Sequence, residues 1–353
     1  MNRFTFRKYT NAQRKRREAW WPRYEDGRIV NGCLEADDYD EAIVEELLSS
    51  SVSISTAWSM GDMPVVKWDA DFELWLRKQQ VIHDTLRNER TQCTLPWQVL
   101  KHLPEPCRKG DALYYSQGAV PSCMGHAHAF AQHNSMLTQI ALGAPLVYDP
   151  FNAIVAWAIS KGGSTRGGQS PGPMAKSGNQ YGNFPISVVG ADSTRLPSYK
   201  QHAEIAQQYQ SGIAFIPGKN EELARNIMAC CRSGLGVACG NSTAVRGATT
   251  DGNGVKVAVL GGLWAHATGF TNCRTVKNTE YVFWVNSHGK RYGSSDEGEP
   301  ADGAWMPLPT LVKFCTTMTI YGQPYAILPE SPVVTDNTLG LELRIPFPAN
   351  WKG

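Results

Sequence analysis

The sequence has little net charge, no apolar run long enough to cross a membrane, and an odd number of cysteines. Its 353 residues carry a formal net charge of +2 at pH 7, which is too small to indicate nucleic-acid or membrane binding by the protein as a whole. The apolar run 151–159 is among the longest, and it falls far short of the about 20 residues that a transmembrane helix needs. We therefore predict no membrane span.

The nine cysteines are irregularly spaced, unlike the even, regular pattern of a disulfide framework. The chain begins MNRFTFRK, which is basic but lacks the apolar run of a secretory signal. These two features predict reduced thiols, synthesis in the cytoplasm and no secretion by a signal peptide.

The sequence contains enough hydrophobic residues to form a large core. Hydrophobic residues make up 42% of the chain and charged residues 19%, with eleven tryptophans, which is typical of a globular protein and not of a disordered one. Helical patterns come early and strand patterns late, without an internal repeat. This order predicts an α+β fold.

Charge is unevenly distributed over the first fifty residues. Residues 1–24 hold eight basic side chains against one acidic, and residues 25–50 hold nine acidic side chains against one basic. Such asymmetry is typical of an arm that docks on a protein partner, and the alternative is a solvated tail. Contact between the basic run 14–17 and nucleic acid is the weaker hypothesis, and it predicts binding that falls steeply with salt.

An amphipathic pattern over residues 68–90 predicts a helix, because apolar residues recur there at near-helical spacing among charges. Prolines at 96, 104 and 106 then interrupt the chain, so we place a boundary near residue 95. The chain is thereby divided into a helical, charged extension over 1–95, which either docks or acts as a pro-segment, and a main domain over 96–353.

One cysteine lies where a Gly/Pro loop meets a helix-forming segment. Residues 117–123 read QGAVPSC, and the following segment is rich in alanine and free of proline, so Cys123 is predicted to begin a helix. The helix N-terminus favours a thiolate. Gln117, six positions upstream (123 − 117 = 6), can supply an amide donor to an oxyanion. Cys123 is therefore a candidate nucleophile.

A thiol nucleophile needs a base and a group that orients the base. His266 follows a glycine pair at the head of a predicted strand, and Asn286 ends the aromatic-rich strand 281–285. The amide oxygen of Asn286 can accept a hydrogen bond from the imidazole and so select its tautomer. The alternatives are a buried core cysteine, a core histidine with satisfied hydrogen bonds, and an asparagine that only forms a turn.

Cys123, His126 and His128 raise the further alternative of a metal site. Zinc would need a fourth ligand and usually a paired Cys/His knuckle elsewhere. His126 and His128 also lie on different sides of a helix, which disfavours joint ligation. The sequence therefore predicts neither a metal nor a cofactor.

The order Gln117, Cys123, His266, Asn286 resembles that of the papain-like cysteine proteases, in which these types are oxyanion donor, nucleophile, base and orienting residue. The Cys-to-His separation of 143 residues (266 − 123 = 143) lies in the range of that family. Residues 286–289 read NSHG and are followed by YG, which is similar to the family's Asn-Ser-Trp-Gly…Trp-Gly signature. The resemblance covers about residues 107–328.

This resemblance implies a two-lobed fold, with a helical lobe and an antiparallel β lobe, and hydrolysis of peptide or protein substrates. Gly167 and Gly168 resemble the Gly-Gly loop whose backbone binds substrate peptide, and Ala265, directly before His266, is assigned to the same cleft. The glycines lie in the Gly-, Ser- and Pro-rich stretch 161–190, which predicts a long functional loop.

Three departures from the family pattern bear on the openness of the site. Met124 stands where an aromatic residue follows the nucleophile, His288 stands where a tryptophan shields the Asn–His contact, and Gly269 comes soon after His266. These changes predict a more open site and a weaker hydrogen bond to the imidazole. The alternative function is therefore a structural or docking component of a large assembly, such as a bacteriophage virion, that keeps the fold with weak or no activity.

Overall fold

The computed structural model describes residues 23–25, 28–30, 65–88, 116–141, 150–162, 166–189, 206, 209–288 and 303–328. The helices are α1 (Ala70–Asn88), α2 (Cys123–Ala141), α3 (Ala153–Ser160), α4 (Pro171–Gln180), α5 (Ile186–Val189), α6 (Asn220–Arg232) and α7 (Leu308–Cys315), followed by a 3-10 helix at Met318–Tyr321. The strands are β1 (Arg23–Glu25), β2 (Arg28–Val30), β3 (Val65–Val66), β4 (Gly212–Phe215), β5 (Gly236–Thr250), β6 (Lys256–Val276), β7 (Thr279–Val285), β8 (Gly303–Pro307) and β9 (Tyr325–Leu328).

Seven strands form one sheet in the order β3-β4-β9-β5-β6-β7-β8, and β1 and β2 form a separate hairpin that contacts β6. The neighbours from β4 to β8 are antiparallel, whereas β3 is parallel to β4. Helices α2 to α5 pack on one another, and α1, α6 and α7 pack on the sheet side. The predicted α+β class is confirmed.

Helix α6 is amphipathic in the way its sequence predicts. Leu223, Ile227 and Cys230 recur at helical spacing and are buried, which gives the helix one apolar face against the sheet. Two glutamates in the first turn and Arg232 in the last complement the helix dipole. Packing of this face holds β5 and β6 in place behind the site.

Helix α2 is buried on all sides from residue 123 to residue 138, as expected of a central helix. Two glycines allow its close contacts. A Cβ at Gly125 would lie 2.3 Å from the Ala153 carbonyl oxygen on α3, and a Cβ at Gly236 on β5 would lie 2.2 Å from the Ala131 carbonyl oxygen on α2. The helix is therefore closely packed between α3 and the sheet. This packing determines the position of its first residue, Cys123.

The predicted helix over 68–90 is present as α1, and it belongs to the folded body. Val66 of β3 pairs with Ala214 of β4, and Phe72 and Leu76 of α1 lie in the largest apolar cluster together with residues of the sheet. The boundary predicted near residue 95 lies outside the described residues, as do most of the charged residues 1–50.

The stretch 161–190 is not the long loop that its composition predicts. It contains α4 and α5, and Pro171 stands at the first position of α4, where a missing N–H costs no hydrogen bond. Among the described helices, none has the length and apolar character needed to cross a membrane.

Candidate active site

The loop before α2 places Cys123 at the first position of the helix, as predicted. Gly118 adopts a φ of 57°, which favours glycine, and the Val120 N–H donates to the Gln117 carbonyl oxygen at 3.1 Å. Cys123 is fully buried. The thiol thus lies at the positive end of the α2 dipole, a position that stabilises a thiolate.

His266 and Asn286 are joined by a short hydrogen bond. His266 lies on β6 and Asn286 directly follows β7, and the two strands pair in this region through Gly269 and Val285. His266 Nε2 lies 2.6 Å from Asn286 Oδ1, and both residues are fully buried. The register of the two strands therefore brings the predicted base and its orienting residue together.

The hydrogen bonds of Asn286 determine the tautomer of His266. The Ser287 backbone N–H, which can only donate, lies 2.8 Å from Asn286 Oδ1, so this atom is the amide oxygen. An oxygen without a proton can only accept, so His266 Nε2 carries the hydrogen of the 2.6 Å bond. In the neutral imidazole Nδ1 is then unprotonated, and this buried atom has no hydrogen-bond partner in the described part of the chain.

Two contacts place the Cys123 face of α2 next to His266. Cys123 belongs to an apolar cluster that includes Ala267, and Ala265 packs against that cluster. His126, one helical turn after Cys123, interacts electrostatically with His266, and burial, the larger effect, lowers the pKa of His126 to about 4. The His126 Nδ1–H donates to the Ser122 carbonyl oxygen at 2.9 Å. Near neutral pH, His126 is therefore an uncharged neighbour of His266.

Gln117 is tied to the residues that follow Asn286. Its backbone N–H donates to the Ser287 carbonyl oxygen at 2.8 Å, and its side-chain Oε1 accepts a 2.6 Å bond from the Ser287 hydroxyl. The Gln117 Nε2 donates to the Val120 carbonyl oxygen at 3.0 Å. These bonds orient the amide nitrogen of Gln117 towards its own loop, which ends at Cys123.

An aromatic shell surrounds His266. The imidazole of His288 stacks on it with ring centroids 4.3 Å apart and planes at 26°, and the Trp264 ring contacts it edge-on at 4.6 Å. Met124 is fully buried in the cluster of Cys123. The Asn–His contact is therefore not the open one that the sequence predicts, because Trp264 and His288 together cover it.

The predicted substrate-binding residues lie on two elements. Ala265 is half-buried on β6 beside the cluster of Cys123. Gly167, at a φ of 66°, and Gly168 follow α3, and the carbonyl oxygen of Gly168 accepts a bond from Lys161 Nζ. The amide nitrogen of Gln169 donates to the Ser160 carbonyl oxygen at 3.0 Å. This loop is thus anchored to α3, which packs on α2.

His126 and His128 face different surroundings. The ring nitrogen Nδ1 of His128 lies 2.9 Å from the Tyr325 hydroxyl on β9, and burial lowers the pKa of His128 to about 3. Across the described ranges there is no group of three or more His, Cys, Asp or Glu side chains placed to hold a metal ion.

Sequence reasoning assigned no role to Trp264 or Ser287 and treated His288 only as a departure. Trp264 stands two positions before His266, and Ser287 and His288 directly follow Asn286. Their position next to predicted site residues was the signal in the sequence that could have identified them as part of the site. What the sequence did not show is the stacking of two imidazoles and the hydrogen bond from Ser287 to Gln117.

No family model matches the chain, and no curated protein matches it. Among solved structures, it is similar to xylellain, a cysteine protease from Xylella fastidiosa, with 15% identity over 68% of this chain and 90% of that chain and a TM-score of 0.41. It is also similar to digestive procathepsin L 3 of Tenebrio molitor, with 11% identity over 82% of this chain and 100% of that chain and a TM-score of 0.42.

The Carica candamarcensis cysteine protease CMS1MS2 is 15% identical over 63% of this chain and 96% of that chain, with a TM-score of 0.38. All three of these solved structures are of cysteine proteases.

Proposed function

We propose that this chain is a thiol-dependent hydrolase of peptide or other amide bonds, with Cys123 as nucleophile, His266 as base, Asn286 as the residue that orients the base, and Gln117 as an oxyanion donor. The observation that carries the proposal is the 2.6 Å bond from His266 Nε2 to Asn286 Oδ1. It leaves the buried Nδ1 of His266 as the proton acceptor beside the face of α2 on which Cys123 lies.

The first half of the reaction forms a thioester. His266 Nδ1 takes the proton of the Cys123 thiol, and Sγ attacks the amide carbonyl carbon. The resulting oxyanion accepts hydrogen bonds from the Cys123 backbone N–H and from the second N–H of Gln117 Nε2. The C–N bond then breaks while Nδ1 returns its proton to the leaving amine.

The second half releases the acid. His266 Nδ1 removes a proton from water, the hydroxide attacks the thioester carbonyl, and the C–S bond breaks with return of the proton to sulfur. Throughout, the bond from Nε2 to Asn286 keeps Nδ1 directed at the reacting atoms. Ala265 and the anchored loop at Gly167 and Gly168 are proposed to bind the substrate backbone, by analogy with the resemblance noted in the sequence.

Selective alkylation tests the proposal. Burial raises the pKa of the Cys239 thiol to about 12 and also raises the pKa values of the Cys230 and Cys315 thiols, so these thiols serve as internal references. We expect iodoacetamide at pH 7 to modify Cys123 before these three, and alkylation to abolish hydrolysis of a denatured protein substrate. Equal or slower labelling of Cys123 contradicts the proposal. Asn286→Ala is expected to slow both labelling and hydrolysis, because it removes the acceptor that holds His266.

We keep docking in a large assembly as the second proposal, because eight basic side chains against one acidic are followed by nine acidic against one basic in residues 1–50. Such a segment is suited to bind a protein surface of alternating charge. The two proposals make separate predictions for the Cys123→Ser substitution. A docking protein remains stoichiometric in purified particles, such as virions, when Cys123 is replaced by serine, whereas a hydrolase loses its activity with the same substitution.

A further inference from the structure

His288 is the feature of the site for which the proposed function has no role. It stands two residues after Asn286, is 7% exposed, and touches both members of the Asn–His pair. Its Nδ1 lies 3.2 Å from Asn286 Nδ2, and its ring stacks on that of His266 at 4.3 Å between centroids. One side chain therefore contacts the orienting residue through a hydrogen bond and the base through its ring face.

The hydrogen bonds of Asn286 specify the state of His288. Since Oδ1 is identified by the Ser287 N–H at 2.8 Å, the atom that faces His288 is the NH2 nitrogen, which can only donate. His288 Nδ1 must then accept and be unprotonated. The Asn286 amide is thus held at both ends, with Oδ1 bonded to His266 and Nδ2 bonded to His288.

We propose that His288 is a positioning residue whose neutral form holds Asn286 and His266 in place, and whose protonation disables the site at acid pH. The proposal rests on the proposed function, because it concerns the orientation of the same base. A proton on His288 Nδ1 would direct N–H against N–H at Asn286. It would also place a positive charge against the face of the His266 ring, which takes up a proton during the proposed reaction, and like charges so close disfavour each other.

The described neighbours of this imidazole pair come from three elements. Strand β6 contributes His266 and Trp264, the latter edge-on to the His288 ring at 5.9 Å. The loop before α2 contributes Ser116, which forms a backbone bridge with His288. Helix α2 contributes Cys123 and His126, and His126 is uncharged near neutral pH because burial lowers its pKa to about 4.

The pH dependence should therefore differ from that of a site with a tryptophan at this position. As the pH falls, a proton on His288 Nδ1 removes the acceptor of Asn286 Nδ2. A non-titrating side chain in place of His288 removes this step, so the acid limb becomes shallower and moves to lower pH.

The test measures the rate of Cys123 alkylation by iodoacetamide and the rate of peptide hydrolysis between pH 4 and pH 8 for wild type, His288→Gln and His288→Phe. Gln supplies an acceptor oxygen without a titratable ring, and Phe supplies the stacked ring without an acceptor. We expect the acid midpoint to fall by about one pH unit in both variants. At the neutral plateau, kcat should fall about ten-fold further in the Phe variant than in the Gln variant, because Phe leaves Asn286 Nδ2 without its acceptor.

His128→Gln, which replaces a buried histidine on the other side of α2, is the matched control and should keep the wild-type acid midpoint.

The outcomes separate this inference from the proposed function. If Cys123 is selectively alkylated in wild type but the three pH profiles coincide, His288 has no positioning role and the proposed function stands. If Cys123 is not selectively alkylated in wild type, the proposed function fails first. Should either variant not fold, histidine 15N NMR of the wild type decides: we expect His288 to be the Nε2–H tautomer at pH 7 and to titrate together with the fall in Cys123 alkylation. A protonated Nδ1 at pH 7 overturns the inference.

Discussion

The Ser287 hydroxyl donates a 2.6 Å hydrogen bond to Gln117 Oε1 across 170 positions of sequence. Ser287 directly follows Asn286, and its backbone N–H donates to Asn286 Oδ1. One residue therefore bonds to both the orienting residue and the proposed oxyanion donor. His288, the next residue along, contacts both members of the Asn–His pair. Three consecutive residues after β7 thus connect every proposed catalytic group except Cys123 itself.

Replacing Ser287 by alanine should impair catalysis without altering the pH profile. Loss of its hydroxyl removes one of the hydrogen bonds that hold the Gln117 amide, so the oxyanion donor is less often in place. We expect kcat to fall about ten-fold with little change in KM, and the acid midpoint of Cys123 alkylation to remain that of wild type. Ser242→Ala is the control, since it removes a hydroxyl bonded to Tyr321 at 3.1 Å. A shift of the acid midpoint in Ser287→Ala would mean that Ser287 acts through His288 and not through Gln117.

Gly125→Ala should destabilise the protein and displace the nucleophile. The added Cβ would lie 2.3 Å from the Ala153 carbonyl oxygen and 2.7 Å from Trp157 Cβ, so α2 and α3 must move apart. We expect a loss of about 1–3 kcal/mol in the free energy of unfolding, measured by urea denaturation, and slower alkylation of Cys123. Gly247→Ala on β5, whose Cβ would meet nothing within 4 Å, should change stability by no more than about 0.5 kcal/mol. Similar stabilities for the two variants would show that the α2–α3 contact is looser than described.

Phe72→Ala tests whether α1 is part of the folded domain. Phe72 is 1% exposed and lies in the core cluster shared with the sheet, whereas Leu74 on the same helix is 51% exposed. We expect Phe72→Ala to cost about 3–5 kcal/mol in the free energy of unfolding. Leu74→Ala should stay within about 0.5 kcal/mol of wild type. If α1 were a separable extension, the main unfolding transition would be the same in both variants.

Stability should fall as the pH is lowered below 6.5. Burial lowers the pKa values of His126 and His128 in the folded protein to about 4 and about 3, while the unfolded chain keeps values near 6.5. Both histidines therefore cost no stability above pH 6.5. As the pH falls from 6.5 towards 4, the unfolded state binds protons that the folded state does not.

Each of these histidines lowers the free energy of unfolding by up to about 1.4 kcal/mol per pH unit in this window. Urea denaturation of wild type and His126→Gln at pH 7, 6 and 5 measures the effect. The variant should show the shallower dependence on pH. Parallel curves would mean that His126 is protonated in the folded state at pH 5.

Several elements of the fold could be predicted from the sequence. The start of α2 at Cys123 follows from a Gly/Pro loop that meets a segment without proline, and α1 and α6 follow from apolar residues at helical spacing. Helix α4 could not be predicted from propensity, since its ten residues include two prolines and two glycines. It forms because Met174 and Ala175 are buried in the cluster of Cys123, and this packing outweighs the unfavourable local preference.

The sequence by itself determined the residue types of the site, their order, and the element on which each one lies, because helix starts and strand ends are encoded by neighbouring residues. Only the tertiary structure decided how those residues meet. The pairing of β6 with β7 brings His266 to Asn286, and that contact depends on strand register, which a local pattern does not specify. The stacking of His288 on His266 and the bond from Ser287 to Gln117 arise in the same way, since they join residues that become neighbours only when the sheet has formed.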